Sequence, residues 1–259
     1  MTCVDLNCDM GELPEAMAGI QEALMPSLTS VNIACGGHAG DAETMKATIQ
    51  QALRWKVAVG AHPGYADRLH FGRLELELPS EAIAESVFEQ VRALAQMAAG
   101  CGARLVQVKA HGALYNQAAR QRQIALAIAT GVARWGREVV LLGLAGSPML
   151  QVFREAGFAV AAEAFADRRY EPDGTLRSRR FADALIQDPA EAARQALSIV
   201  TQGTVIACDG SEVGIVPETL CIHGDTPGAP EIAAAVARTL RQAGVTLAAL
   251  SRPGERIHP

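Results

Sequence analysis

The stretch Asn32-Ile-Ala-Cys-Gly-Gly-His-Ala-Gly-Asp41 is an apolar strand that runs out into three glycines around one histidine and then opens a helix. Glycines at such a place let the backbone turn sharply and approach a ligand closely. Asp41 suits the N-cap of a helix whose Met45, Ile49 and Leu53 recur at four-residue spacing. Strand, glycine turn and helix together make a βα unit, with His38 at the C-terminal end of its strand.

The same unit recurs outward in both directions. Short apolar runs at Cys3 to Asn7, Ser30 to Ala34, Val57 to Ala61, Arg104 to Lys109, Glu138 to Gly143, Phe158 to Glu163 and Thr219 to His223 read as strands, and Val245 to Ala249 is an eighth candidate. Amphipathic stretches separate them. Ser80 precedes Ile83, Val87, Val91, Leu94 and Ala98, with Gly100 expected just past the end; Asp188-Pro-Ala-Glu191 offers a cap, a first-turn proline and a capping glutamate. Ile124, Ile128 and Val132 form a third stripe, and Ile232, Val236 and Leu240 before Gly244 a fourth. Alternation of this kind predicts an α/β fold with a closed or nearly closed parallel barrel, as one domain over residues 1–259 with its core at about 3–249 and a short tail. Two segments, Gly64 to Leu78 and Asp167 to Asp183, look too polar and arginine-rich for core, and loops of that length on one rim usually carry function.

Composition narrows the function. The chain has 259 residues, 49 % hydrophobic and 20 % charged, with a net charge of −5, which gives no electrostatic footprint for nucleic acid or an anionic membrane. A small-molecule ligand is the expectation. Six scattered cysteines form no C-x-x-C pair, and free thiols are expected. With neither a basic, apolar leader nor an apolar run of membrane-spanning length, the expected location is the cytoplasm.

In a parallel barrel the C-terminal strand ends share the rim where chemistry is placed. Standing there are Asp5, Asn7 and Asp9 from the first strand, His38, His62, Lys109 and His111, Glu163 and Asp167, and His223 with Asp225. Lys109 and His111, two residues apart, share a face if the strand continues that far, and a cation beside an acid/base group suits carbonyl or phosphoryl chemistry. Glu12 reads as a helix N-terminal carboxylate, and His70 and His258 as peripheral. No phosphate loop, nucleophile elbow, dinucleotide fingerprint or H-E-x-x-H pair occurs, and no metal-ligand set is assigned.

Asp5-Leu-Asn-Cys-Asp-Met-Gly-Glu12, Asn32 to Asp41, Val59-Gly-Ala-His-Pro-Gly-Tyr-Ala-Asp-Arg68, Phe71-Gly-Arg73, Val108-Lys-Ala-His-Gly-Ala-Leu-Tyr-Asn116, Glu163-Ala-Phe-Ala-Asp-Arg168 and Cys221-Ile-His-Gly-Asp225 are together similar, in order, to motifs of the LamB/YcsF lactam-utilisation family, the A subunits of prokaryotic ATP-dependent 5-oxoprolinase. The chain departs from that pattern at Gly37, Ala110 and Arg169, where the family commonly has Phe, Pro and Gly, and in Leu176-Arg-Ser-Arg179. The resemblance implies a variant TIM-like β/α barrel of seven strands, related to the glycoside hydrolase and deacetylase barrels. It also implies conversion of 5-oxo-L-proline, ATP and two waters to L-glutamate, ADP and phosphate, with Mg²⁺ accompanying ATP and with partner subunits B and C. For that reaction Lys109 and His111 are expected to stabilise the activated carbonyl oxygen, and Asp5, Asp9 or His62 to orient water. Arg168 is expected to hold the substrate carboxylate, with Asn7, His38, His223 and Asp225 as further binding residues. The alternatives are a metal-dependent N-deacetylase or amidohydrolase and a non-catalytic scaffold or binding subunit.

Overall fold

Along β1 (Cys3–Met10) apolar and polar residues alternate, and the two sets face opposite ways. Val4, Leu6, Cys8 and Met10 are buried in the main hydrophobic core, while Asp5, Asn7 and Asp9 point the other way and are buried too. A strand buried on both faces, apolar on one and polar on the other, fits a closed barrel with a polar interior. A computed structural model, describing residues 2–12 and 18–251, has that architecture. After β1 come α1 (Ala18–Leu24), β2 (Ser30–Ala34), α2 (Ala42–Trp55), β3 (Ala58–His62), α3 (Ser80–Gly100), β4 (Leu105–Val108), α4 (Gly112–Arg120), α5 (Arg122–Trp135), β5 (Val140–Leu144), α6 (Pro148–Glu155) and β6 (Ala159–Phe165). The chain continues through α7 (Pro189–Gln202), β7 (Thr204–Ile206), β8 (Glu212–Gly214), β9 (Thr219–His223), α8 (Ala229–Gln242) and β10 (Thr246–Leu247).

Strands β1 to β6 pair in sequence order, β6 pairs with β9, and β9 returns to β1, all parallel, which closes a seven-stranded barrel. The seven expected strands are these seven, with ends shifted by up to three residues. The eighth candidate is the two-residue β10, which pairs with Cys3 and Val4 at the start of β1. The antiparallel hairpin β7–β8 was not anticipated, because three-residue strands around Asp209-Gly210 carry too little pattern. It braces the second long loop, where the Cys208 N–H donates to the Tyr170 carbonyl at 2.8 Å. That loop is less exposed than its composition suggests: Asp167, Arg168 and Tyr170 are all buried.

The helix signals behave as their chemistry requires. Asp41 and Thr44 form a reciprocal capping box on α2, and Asp188 accepts from the Glu191 N–H at 2.6 Å with Pro189 in the first turn of α7. The Glu191 carboxylate turns instead to Arg169, at 2.8 Å. Gly100 lies inside the last turn of α3, and Gly102, at φ +81°, reverses the chain beyond it. Among the described residues no helix is long and apolar enough to cross a membrane.

Barrel interiors are usually filled by branched aliphatic residues, but this one holds a polar network. Asn7 donates to Thr219 Oγ1 (2.7 Å) and Glu163 Oε1 (3.1 Å), Asn32 donates to Asn7 Oδ1 and Asp9 Oδ1, and Gln107 donates to Asn32 and Ser30. Asp5 sits in its lower layer, accepting from Thr29, Ser30 and Thr219 at 2.6, 2.8 and 2.5 Å. Replacing Asp5 with Ala should cost roughly 2 kcal/mol or more, because the buried hydroxyls of Ser30 and Thr219 and the half-buried one of Thr29 lose their acceptor. Burial outweighs those hydroxyls and, with Glu163 nearby, raises the Asp5 pKa to about 6. A folded-state pKa above the unfolded value means that stability from this group falls as pH rises through the interval between the two. Asp5→Asn should be milder than Asp5→Ala and should flatten the stability profile between about pH 4 and 6 relative to the parent, as read by urea titration at a series of pH values.

Candidate active site

At the C-terminal strand ends opens a cavity of about 700 Å³, within the range of small-molecule sites. Asp9, Glu12, His62, Lys109, His111, Arg168 and His223 all contribute to its wall. Strand β4 ends formally at Val108, yet the Lys109 N–H donates to Ala61 O and the His111 N–H to Pro63 O, both at 2.9 Å. The extended run therefore continues, and Lys109 and His111 do enter one cavity, as their two-residue spacing predicts.

Lys109 is 3 % exposed, and its ammonium lies 2.9 Å from Glu163 Oε1, 3.1 and 3.2 Å from the Asp9 carboxylate oxygens and 3.1 Å from Cys221 Sγ. Burial disfavours the charge, but Asp9, Cys221 and Glu163 prevail and hold its pKa well above the ordinary lysine value. Asp9 is likewise held well below the carboxylate range, since His62 and Lys109 overcome its burial. Lys109 is thus a fixed cation and Asp9 a fixed anion. Asn7 lies in the network beneath them and Asp5 deeper still, so the structure brings neither to the cavity wall.

Beside this pair stand Glu12, His38, His62 and His111, each from a different strand end. Gly11, at φ +73°, turns the chain after β1 so that Glu12 faces inward. Glu12 Oε1 is 2.8 Å from His38 Nε2 and 3.0 Å from His111 Nδ1, which corrects the expectation of a helix N-terminal carboxylate. Only the turn geometry at Gly11 could have revealed this. Burial pushes His38 down to about 4 and lowers His111, whereas Asp9 and Glu12 raise His62 in spite of its burial. His111, His38 and His62 keep Glu12 ionised against its own burial. The ligand-type atoms of these four residues lie within 4.8 Å of one another.

The opposite wall carries His223 and the arginines. His223 Nδ1 is 3.0 Å from Asp167 Oδ1, and Asp167 also accepts from the His223 N–H at 3.0 Å and from Thr226 Oγ1 at 2.7 Å. A carboxylate so placed fixes the imidazole tautomer and orientation. Arg168 is 6 % exposed; its Nη2 donates to the Arg177 carbonyl, while its buried Nε has no partner among the described residues. Burial and the nearby Arg179 lower its pKa to about 10, still cationic at neutral pH. Arg73, Arg179 and Arg180 line the same side. Asp225 is not on the cavity wall: it is bound by Arg73 at 2.5 Å and Arg179 at 3.0 Å, and, despite partial burial, Arg179, His223 and Arg73 hold its pKa at about 2. Its place is behind the arginines, which it orients. His70 pairs with Asp67 at the surface, and His258 lies outside the described residues.

A cavity with a buried lysine–carboxylate centre, an imidazole cluster on one side and under-paired guanidinium on the other is suited to a small anionic substrate with a reactive carbonyl. The chain is 49 % identical to a protein from Chloroflexus aggregans named as the A subunit of 5-oxoprolinase, over 95 % of this chain and 98 % of that one. It is 47 % identical to the protein of the same name from Methylococcus capsulatus, over 95 % of each. The solved lactam utilization protein from Thermus thermophilus superposes with a TM-score of 0.89 at 42 % identity, covering 96 % of this chain and 100 % of that one. With the LamB/YcsF family model matching residues 4–254, the chain belongs to the LamB/YcsF family.

Proposed function

We propose that this chain is the A subunit of a 5-oxoprolinase and that its cavity binds 5-oxo-L-proline. The reading is carried by the near-full-length similarity to proteins of that name, over a chain whose motif residues converge on one cavity. The reaction is 5-oxo-L-proline, ATP and two waters giving L-glutamate, ADP and phosphate. A lactam carbonyl is a poor electrophile; transfer of the γ-phosphoryl group of ATP, delivered with Mg²⁺, to its oxygen releases ADP and opens the amide carbon to one water, the C–N bond breaks as the nitrogen takes a proton, and the second water hydrolyses the resulting acyl phosphate to L-glutamate and phosphate. Arg168, with its unpartnered Nε, takes the substrate carboxylate, and Arg73, Arg179 and Arg180 favour the phosphate groups.

Lys109 stabilises the activated oxygen, and His111, anchored to the Phe71 carbonyl, shapes the wall beside it. Of the acceptors on the Lys109 ammonium, the Cys221 sulfur is the weakest, so an anionic oxygen displaces that contact first. His223, held by Asp167, removes the proton from the attacking water, and the ionised Asp9 helps to orient it. Asp5 and Asn7 maintain the network below, and Asp225 the arginines above. One observation favours a second reading, metal-dependent amide hydrolysis: the clustering of Glu12, His38, His62 and His111. That reading requires no ATP.

Subunits B and C complete the enzyme, and the chain alone should turn over neither 5-oxoproline nor ATP at a meaningful rate. Mixing the three and following glutamate and ADP together, then omitting each in turn, tests this; ATP-coupled glutamate production by the isolated chain would refute it. In the assembled enzyme His111→Ala should lower turnover by roughly two orders of magnitude. Lys109→Met should do at least as much while also costing about 3–5 kcal/mol of stability, because Asp9 and Glu163 lose their counter-charge. Unchanged turnover in both would mean a scaffold subunit. Arg168→Gln should raise KM for 5-oxoproline roughly tenfold or more with little change in KM for ATP, as expected for loss of a charged contact to the substrate carboxylate.

A further inference from the structure

The hydrogen atoms of the histidine cluster can be placed by elimination. His62 Nδ1 lies 2.9 Å from the Lys109 carbonyl, and His111 Nε2 lies 2.9 Å from the Phe71 carbonyl. A carbonyl oxygen only accepts, so each of these ring nitrogens carries the hydrogen. In a neutral imidazole the other nitrogen is then a bare lone pair. Those two lone-pair atoms, His62 Nε2 and His111 Nδ1, are 2.9 Å apart and face each other. Both also face acceptors: Glu12 Oε1 is 3.0 Å from His111 Nδ1 and 3.6 Å from His62 Nε2, and Asp9 Oδ2 is 3.3 Å from His62 Nε2.

Acceptors converging on acceptors repel unless positive charge lies among them. One added proton does not suffice. Placed on His62 Nε2 it serves Asp9 and leaves His111 Nδ1 against Glu12; placed on His111 Nδ1 it serves Glu12 and leaves His62 Nε2 against Asp9. A divalent cation at the centre satisfies every one of these lone pairs at once.

We propose that Glu12, His62 and His111 form a binding site for one divalent first-row transition ion of the zinc type. Two imidazoles and one carboxylate are a set that favours such ions over magnesium or calcium, which take oxygen ligands. The carbonyls of Lys109 and Phe71 are the outer-shell acceptors that characterise metal-bound histidines, fixing the tautomer that presents a lone pair inward. His38 supports the set from outside: its Nε2 donates to Glu12 Oε1 at 2.8 Å, and its ring lies flat on that of His111, 3.6 Å between centroids, so its in-plane lone pair does not converge with that of His111. Two glycines hold the rings in place, since a Cβ on Gly64 would stand 2.7 Å from His38 Nδ1, and one on Gly72 2.7 Å from His38 Cβ and 3.0 Å from His111 Cδ2. Ligands around one zinc-type ion stand about 3.3 Å apart at bond lengths near 2.0 Å, so the three atoms, at 2.9, 3.0 and 3.6 Å from one another, shift by only a few tenths of an ångström on binding. The neighbouring group of Asp9, Cys221 and His223 carries no such inference, because the Lys109 ammonium already supplies its positive charge.

The site is independent of which substrate the cavity takes, and its test need not involve turnover. The full chain is stripped with EDTA, offered Zn²⁺ or Co²⁺ in the presence of millimolar Mg²⁺, desalted and analysed for metal, melting temperature and, with Co²⁺, visible absorption. The expected result is about one ion per chain, a raised melting temperature and d–d bands of a nitrogen- and oxygen-ligated ion. Glu12→Gln, which keeps the shape, and His111→Ala should each lose at least tenfold in affinity, while His70→Ala should behave as the parent. Failure of the folded parent chain to retain either ion would overturn the proposal, as would retention unaffected by both Glu12→Gln and His111→Ala.

Discussion

The Lys109 ammonium inside the barrel is the constraint on which the rest depends. A buried charge is tolerable only when paired and hydrogen-bonded, and here the lysine reaches Asp9 on β1 and Glu163 on β6, the two strands that flank β9. Each of those carboxylates needs donors of its own. Asn32 supplies one to Asp9, and Asn7 one to Glu163, so that one cation organises side chains from β1, β2 and β6. Such a pair contributes little to net stability compared with a well-packed aliphatic interior. Its presence where branched residues usually pack points to a preformed polar site.

That network also divides the cavity. On one side Asp9 joins the imidazoles and Glu12; on the other Phe165 lies 5.2 Å from the Lys109 ammonium and stacks on His223, which leads to Asp167 and the arginines. The negative and lone-pair-rich wall and the guanidinium wall line one cavity together with the lysine. A substrate carrying a carboxylate at one end and a carbonyl at the other matches this polarity, and the long loops supply the part of the wall that the strands do not reach. Asp225 shows how the loops are positioned, for it ties Arg73 of the first to Arg179 of the second.

Most of the fold was readable because each strand is short, apolar on its outer face and followed by a turn and an amphipathic helix. The two-residue alternation that marks β1 also predicted that Lys109 and His111 share a face, and both enter the cavity. What the chain did not disclose were relations across it. Glu12 depends on a positive φ at Gly11, the His223–Asp167 pair joins residues 56 apart, and the depth of Asp5 depends on where the barrel's interior layers fall. Strand-end position alone cannot separate a residue on the rim from one a layer below, which is why Asp5 and Asn7 were grouped with Asp9. The arginine-rich loop misled for a different reason: Arg168 and Asp167 are buried by their partners and by the β7–β8 hairpin, and composition records neither.

The most direct measurement of the central claim, that one polar network builds a lactam site between the lysine and the guanidinium wall, is a crystal structure of the chain with 5-oxo-L-proline. The account predicts the ring inside the cavity, its carboxylate on Arg168 and its carbonyl oxygen beside the Lys109 ammonium. A ligand bound elsewhere, or seated in the cavity without contact to Arg168 and Lys109, would contradict it.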